Sequence, residues 1–175
     1  MSPDASWLAD HIRDIPDFPQ PGIAYKDIAP LLADVDAFRF TVDAIVDHFA
    51  TSEVDHVIGI EARGFILGAP VAYRLAAGFV PVRKPGKLPF DTAELEYELE
   101  YGTDTLEIHV DAVGPGDRVL IVDDVLATGG TALATVGLVE KVGGKVVGLG
   151  FLLELGSLAG REKLAAYDAH SLLTL

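Results

Sequence analysis

Val119–Val136 reads VLIVDDVLATGGTALATV: an apolar run closes on two adjacent aspartates, turns through alanine, threonine and glycine, and resumes with a helix-like pattern. A short continuous apolar run, a glycine turn and a helix form one β–α unit. Ala127, Thr128, Gly129, Gly130 and Thr131 occupy the turn. Backbone N–H groups converge at such a place, and the helix N-terminus adds about half a positive charge, which suits a phosphate. The alternative is an ordinary turn capped by Thr128 or Thr131. It is not a Walker loop, because the lysine and the longer glycine spacing are missing. Strand alternation sends Asp123 and Asp124 to opposite faces, but a chain that turns at the strand end lets both address one object. A sugar diol suits them, since each hydroxyl donates to a carboxylate; the alternative is two solvated residues closing a strand. Joined, the two halves fit a ribose 5-phosphate held at both ends.

The same alternation extends outward. His56–Ile60 (HVIGI), Gly78–Val82, Asp104–Val110, Arg118–Val125, Lys145–Leu155 and the final Ala169–Leu175 read as strands. Helices are predicted over Gly64–Ala76, Gly130–Gly143, a short piece around Leu158–Ala166, and Asp34–Ala50, where Phe38, Val42, Ile45, Val46 and Phe49 recur at helical spacing. Asp17–Leu32 is proline-rich and reads as an ordered loop with a short helical piece. From Arg83 to about Tyr101 the chain is charged, with little apolar periodicity, and reads as a loop. The pattern implies an α/β fold with a mostly parallel central sheet flanked by helices, in one domain over residues 1–175. Ligands of such sheets sit at the carboxyl ends of the strands, where Val122–Gly130 and Ile60–Phe65 both fall.

The formal charge of −14, from 27 acidic and 13 basic residues, excludes nucleic acid and anionic membranes as expected partners. The absence of cysteine excludes disulfides and thiolate chemistry. The N-terminal stretch lacks an apolar signal segment, and no apolar run approaches the ~20 residues of a membrane span, so a soluble cytoplasmic protein is expected. Against this acidic background Arg83, Lys84 and Lys87 cluster in RKPGK. The five histidines lack metal-ligand spacing and read as structural or surface residues.

These residues carry a resemblance. VLIVDDVLATGGT resembles the phosphoribosyl diphosphate (PRPP) motif of the type I phosphoribosyltransferases, in the form found in their adenine-specific branch. Phe18–Leu32 (FPQPGIAYKDIAPLL), Glu61–Ala72 (EARGFILGAPVA), Arg83–Pro89 (RKPGKLP), Leu99–His109 (LEYGTDTLEIH) and Phe151–Leu164 (FLLELGSLAGREKL) resemble further segments of that branch, in the same order.

The resemblance implies transfer of phosphoribose from PRPP to adenine, giving AMP and pyrophosphate. Mg²⁺ would be held mainly through PRPP oxygens rather than by dedicated protein ligands. It assigns the 5-phosphate to Ala127–Thr131 and the ribose hydroxyls to Asp123 and Asp124. Pyrophosphate falls to Glu61, Ala62, Arg63, Arg83, Lys84 and Lys87, with Arg63 and Arg83 counted as catalytic. Lys84 in this family tends to reach a neighbouring subunit's site, which implies a homodimer. Glu61–Ala62 matches a position where relatives adopt a cis peptide. Glu100 matches the acid/base candidate toward adenine N7, beside the lid residue Tyr101. Adenine is expected against Ala24, Tyr25 and Lys26, where YKD replaces the commoner FRD and removes a stacking guanidinium. Residues of about 15–32 form the expected hood, and about 83–103 a flexible loop. Two readings stand beside this one: a non-catalytic PRPP or nucleotide sensor of the same fold, and a transferase for another purine. A receiver-like domain phosphorylated on the aspartate pair leaves TGGT and RKPGK unexplained.

Overall fold

The structure, a computed structural model, describes residues 4–98 and 102–175. Its centre is a five-stranded parallel sheet of β3 (His56–Ile60), β4 (Gly78–Val82), β7 (Arg118–Leu126), β8 (Lys145–Glu154) and β9 (Ala169–Thr174), in the order β4-β3-β7-β8-β9. The inner strands β3, β7 and β8 run apolar over most of their length because both sheet faces are covered there. Along β7 the side chains alternate between two cores. Leu120 and Val122 face Ile45 and Phe49 of α2 (Val35–Phe49) and Leu67 and Val71 of α3 (Arg63–Leu75). Val119 and Ile121 face Val136 and Val139 of α4 (Gly130–Lys141) on the other side. The mostly parallel sheet flanked by helices is as the sequence implies.

Helix boundaries follow local chemistry. Asp34 caps α2 by accepting from the N–H groups of Asp36 (3.0 Å) and Ala37 (2.9 Å). No side chain caps α4; its N-cap is Gly129 at φ 76°. The Thr128 or Thr131 cap of an ordinary turn is therefore absent.

Two small antiparallel sheets flank the strand ends. One pairs β1 (Arg13–Ile15) with β2 (Tyr25–Asp27), and α1 (Ala29–Ala33) follows. The other pairs β5 (Thr92–Glu98) with β6 (Thr103–His109), from Thr92 opposite His109 to Glu98 opposite Thr103. Thr92–Glu98 of the expected loop is thus a hairpin strand, while residues 84–91 run through turns and bends. Ala93, Leu95 and Tyr97 turn toward the α4 side while Glu94, Glu96 and Glu98 face solvent, so a period of two lies beneath the charge. The C-terminal helical piece resolves into two 3-10 turns, Gly156–Leu158 and Gly160–Leu164. At the N-terminus another, Ser6–His11, sets Trp7 edge-on to Phe40 at 5.4 Å. Among the described residues, no helix is long and apolar enough to cross a membrane.

Candidate active site

A cavity of about 590 Å³ lies at the carboxyl ends of β3 and β7. Four groups of the expected site residues meet there: Ala24, Tyr25 and Lys26 from the hood; Glu61, Ala62 and Arg63; Lys84; and Asp123, Asp124, Ala127 and Thr131. A smaller recess of about 80 Å³ adjoins it, lined by Asp123 and by the whole turn from Ala127 to Thr131. Arg83 and Lys87 do not line the cavity and connect to it through Glu61. Glu100 and Tyr101 lie outside the described residues.

The aspartate pair sits within β7, which runs on to Leu126 instead of turning at Asp123. Asp123 borders both the recess and the cavity, and its Oδ1 accepts from the Asp124 N–H at 2.9 Å. Asp124 is 4% exposed, and its Oδ2 lies 2.8 Å from Arg63 Nε. Burial pushes Asp123 well above the usual carboxylate range, and the neighbouring charge of Asp124 pushes it further. Burial also raises Asp124, with the Arg63 charge partly opposing it. Two adjacent carboxylates held out of water favour any partner that donates hydrogen bonds or brings positive charge. Gly64 permits this closeness: a Cβ there would lie 2.9 Å from Asp123 Oδ1 and from the Val122 carbonyl oxygen.

At the cavity's other wall the Glu61–Ala62 peptide is cis, as expected. Glu61 accepts from the Lys84 N–H at 2.9 Å, from Arg83 Nε at 3.3 Å and from Lys87 Nζ. Burial raises Glu61, but these bonds outweigh it and hold the carboxyl at about 2. One carboxylate therefore gathers two cations of the RKPGK cluster beside the cavity. The Lys84 ammonium instead pairs with Asp104 in the same chain. Burial lowers Lys84, yet Asp104 and Tyr97 together outweigh it and raise it.

In the hood, Lys26 Nζ lies 2.5 Å from Asp14 Oδ1, its register partner on β1. The lysine is thus tethered toward β1, in keeping with the loss of a stacking group at this position. Asp27 accepts from the Ala29 N–H at 2.9 Å just before α1.

Three contributors were absent from the sequence reading. Tyr97 lines the cavity; its hydroxyl accepts from Thr131 Oγ1 and donates to Asp104 Oδ2, each at 3.3 Å. The hairpin is thereby tied to the first turn of α4 and to the partner of Lys84. Gly160, from the first residue of a 3-10 turn, abuts the backbone of Ala127 and Gly129. The alternation of β5 was a usable signal for Tyr97; nothing local marks Gly160 or Asp104.

The phosphoribosyl transferase domain family model matches residues 25–171. Over 176 residues the chain is 60% identical to the adenine phosphoribosyltransferase of Thermobifida fusca, with 100% of both chains covered. The crystal structure of adenine phosphoribosyltransferase from Rhodothermus marinus superposes with a TM-score of 0.95 at 54% identity, covering 98% of each chain. That of Saccharomyces cerevisiae, complexed with an imino-altritol bisphosphate and adenine, superposes with a TM-score of 0.89 at 38% identity, covering 97% of this chain and 98% of that one.

Proposed function

The chain belongs to the phosphoribosyl transferase domain family, and from that premise we propose that it transfers the 5-phosphoribosyl group of PRPP to adenine, yielding AMP and pyrophosphate. The observation that carries this reading is the cavity lined by the aspartate pair, the Glu61–Arg63 segment and residues 24–26, with the recess of the 127–131 turn adjoining it. Relatives 54–61% identical over nearly their whole length bear the name adenine phosphoribosyltransferase, which supports adenine over another purine.

The bond from the anomeric carbon to the diphosphate oxygen breaks as the carbon bonds to N9 of adenine in its N7–H tautomer, and the N7 proton passes to the proposed base, Glu100. Positive charge grows on the ribose ring and negative charge on the departing diphosphate. Asp123 and Asp124 would accept from the ribose hydroxyls and tolerate the ring's charge. The N–H groups of the 127–131 turn would bind the 5-phosphate. Arg63, with Arg83, Lys84 and Lys87, would bind the diphosphate more tightly as its charge develops, which lowers the barrier. Ala24, Tyr25 and Lys26 would hold the base, and the β5–β6 hairpin with Tyr101 would exclude water that otherwise hydrolyses PRPP. Glu100 is the proposed proton donor and acceptor toward adenine N7.

Mg²⁺ fits this site as an ion brought by PRPP. The hard oxygen donors present are Asp123 and Asp124, and Asp124 Oδ2 is buried without a hydrogen bond that satisfies it. Among the described residues no cluster of three or more metal-ligating side chains forms a separate site. When bound, the ion neutralises diphosphate charge.

A homodimer is part of the proposal, supported by Ile66 and Tyr73 on the open side of α3 and Phe79 on the edge strand β4. These are 44%, 85% and 36% exposed, an apolar surface of the kind that association covers. The cytoplasm is the proposed setting, because phosphorylated substrates do not cross membranes unaided.

The deciding experiment follows AMP formation from adenine, PRPP and Mg²⁺. Turnover with hypoxanthine or guanine but not adenine would overturn the base assignment. PRPP binding without turnover of any purine would favour a sensor.

A further inference from the structure

Tyr25 on β2, Arg63 at the start of α3 and Asp124 on β7 form a chain of contacts across the cavity. Arg63 Nη1 donates to the Tyr25 hydroxyl. Arg63 Nε lies 2.8 Å from Asp124 Oδ2. The guanidinium carbon stands 4.9 Å from the centre of the Tyr25 ring, and Phe18 packs edge-on against that ring at 5.1 Å. The tyrosine is therefore fixed from behind while its hydroxyl and face engage the arginine.

A guanidinium is planar, with five N–H donors in a rigid fork. A contact at Nε alone leaves the plane free to swing about that point. Contacts at both Nε and Nη1 fix the plane and leave the Nη2 hydrogens for another anion. Asp124 supplies the first contact, a charge pairing without hydrogen-bond geometry, and the Tyr25 hydroxyl supplies the second, the directional hydrogen bond that sets the plane. A phenylalanine at residue 25 would keep the ring and lose the hold on Nη1.

We propose that Tyr25 is a positioning residue whose hydroxyl orients the Arg63 guanidinium toward the pyrophosphate group while its ring lines the base pocket. The identity of the two ligands rests on the function proposed above; the contact itself does not. The consequence is a physical link between base and leaving group, made through one side chain.

The test compares wild type with Tyr25→Phe and Tyr25→Leu. Pyrophosphate with Mg²⁺ is titrated into each protein by calorimetry, and KM values for PRPP and adenine are measured separately. Loss of one hydrogen bond from a charged donor should weaken pyrophosphate binding in Tyr25→Phe by about ten-fold and raise the KM for PRPP in step, with the KM for adenine held within about two-fold. Tyr25→Leu, which also removes the ring, should raise both KM values. A purely structural role would leave no such split between the two substrates. Unchanged pyrophosphate affinity in Tyr25→Phe overturns the proposal, as does failure of the wild type to bind pyrophosphate. A rise in the adenine KM equal to the pyrophosphate effect also overturns it, because the hydroxyl would then serve the base. Pyrophosphate binding is read without any base, so a failure to use adenine would defeat the proposed function and leave this result standing.

Discussion

Gly129 and Gly160 face each other backbone to backbone. A Cβ on Gly129 would lie 2.5 Å from the Gly160 carbonyl oxygen, and one on Gly160 would lie 2.8 Å from the Gly129 nitrogen and 2.1 Å from the Ala127 carbonyl oxygen. Gly129 also holds φ at 76°, a left-handed conformation that side chains disfavour. The 127–131 turn is therefore shaped partly by a distant segment pressed against it.

Gly160→Ala should displace that turn, because neither backbone partner is a side-chain end that can swing aside. Overpacking of this kind destabilises by about 1–3 kcal/mol. The affinity for AMP should fall at least about ten-fold, since the phosphate donors move as a group. Calorimetric titration with AMP, alongside thermal unfolding, checks it; wild-type AMP affinity in a folded Gly160→Ala protein would refute the shaping role.

Glu61 gives a pH prediction. Its folded pKa of about 2 lies below the ordinary 4.5, so the folded state favours the ionised form. The stabilisation is fully present above about 4.5 and disappears as pH falls toward 2. Glu61→Gln should be less stable than wild type at neutral pH, with the two denaturation curves converging across that acid window. A constant gap down to the acid limit would show that the ion pairs to Arg83 and Lys87 are not its source.

The hairpin offers a third expectation. Tyr97→Phe removes both the bond from Thr131 and the bond to Asp104 while keeping the ring against α4. Two neutral-to-modest hydrogen bonds at about 0.5–1.5 kcal/mol each should yield faster amide exchange within Thr92–Glu98, by several-fold, with little change in global stability. Hydrogen exchange read by mass spectrometry separates this from general loosening, which would quicken exchange in β3 and β7 as well.

What was legible in the sequence follows chain locality. Asp123, Asp124 and the 127–131 turn are nearly contiguous, so the part of the candidate site proposed for phosphoribose stands in one line of text. Strands buried on both faces announce themselves as apolar runs, which is why β3, β7 and β8 were readable to within a few residues. The glutamates on the open face of β5 hid an alternation that Ala93, Leu95 and Tyr97 spell out. Glu61 and Lys87 meet only because β3 and β4 end side by side, and Gly160 reaches Gly129 only through the return of β8. No spacing rule conveys such meetings. The substitution of Lys for the commoner Arg at residue 26 was readable, but its tether to Asp14 depends on β1–β2 register.

The aspartate pair carries the last prediction, and its two members should behave differently. Asp123 is raised well above its ordinary value of 3.8 by burial and by the charge of Asp124. A raised folded pKa means that ionisation disfavours the folded state; the deficit opens as pH rises past about 3.8 and is complete above the folded value. Asp123→Asn removes the charge and keeps an oxygen able to accept from the Asp124 N–H. It should raise the melting temperature of the ligand-free protein at neutral pH, by about 2–4 °C for each kcal/mol relieved. The gain should fade as pH drops to 3.8 and below. Asp124→Asn also relieves a buried charge but leaves Arg63 Nε without its anion, so its melting temperature should change less. Both substitutions should lower kcat/KM for PRPP by about 10–100-fold, the worth of hydrogen bonds to a charged acceptor. Near-wild-type use of PRPP by either variant would contradict a ribose role for that residue. A drop in melting temperature in Asp123→Asn would contradict the strain assigned to the pair.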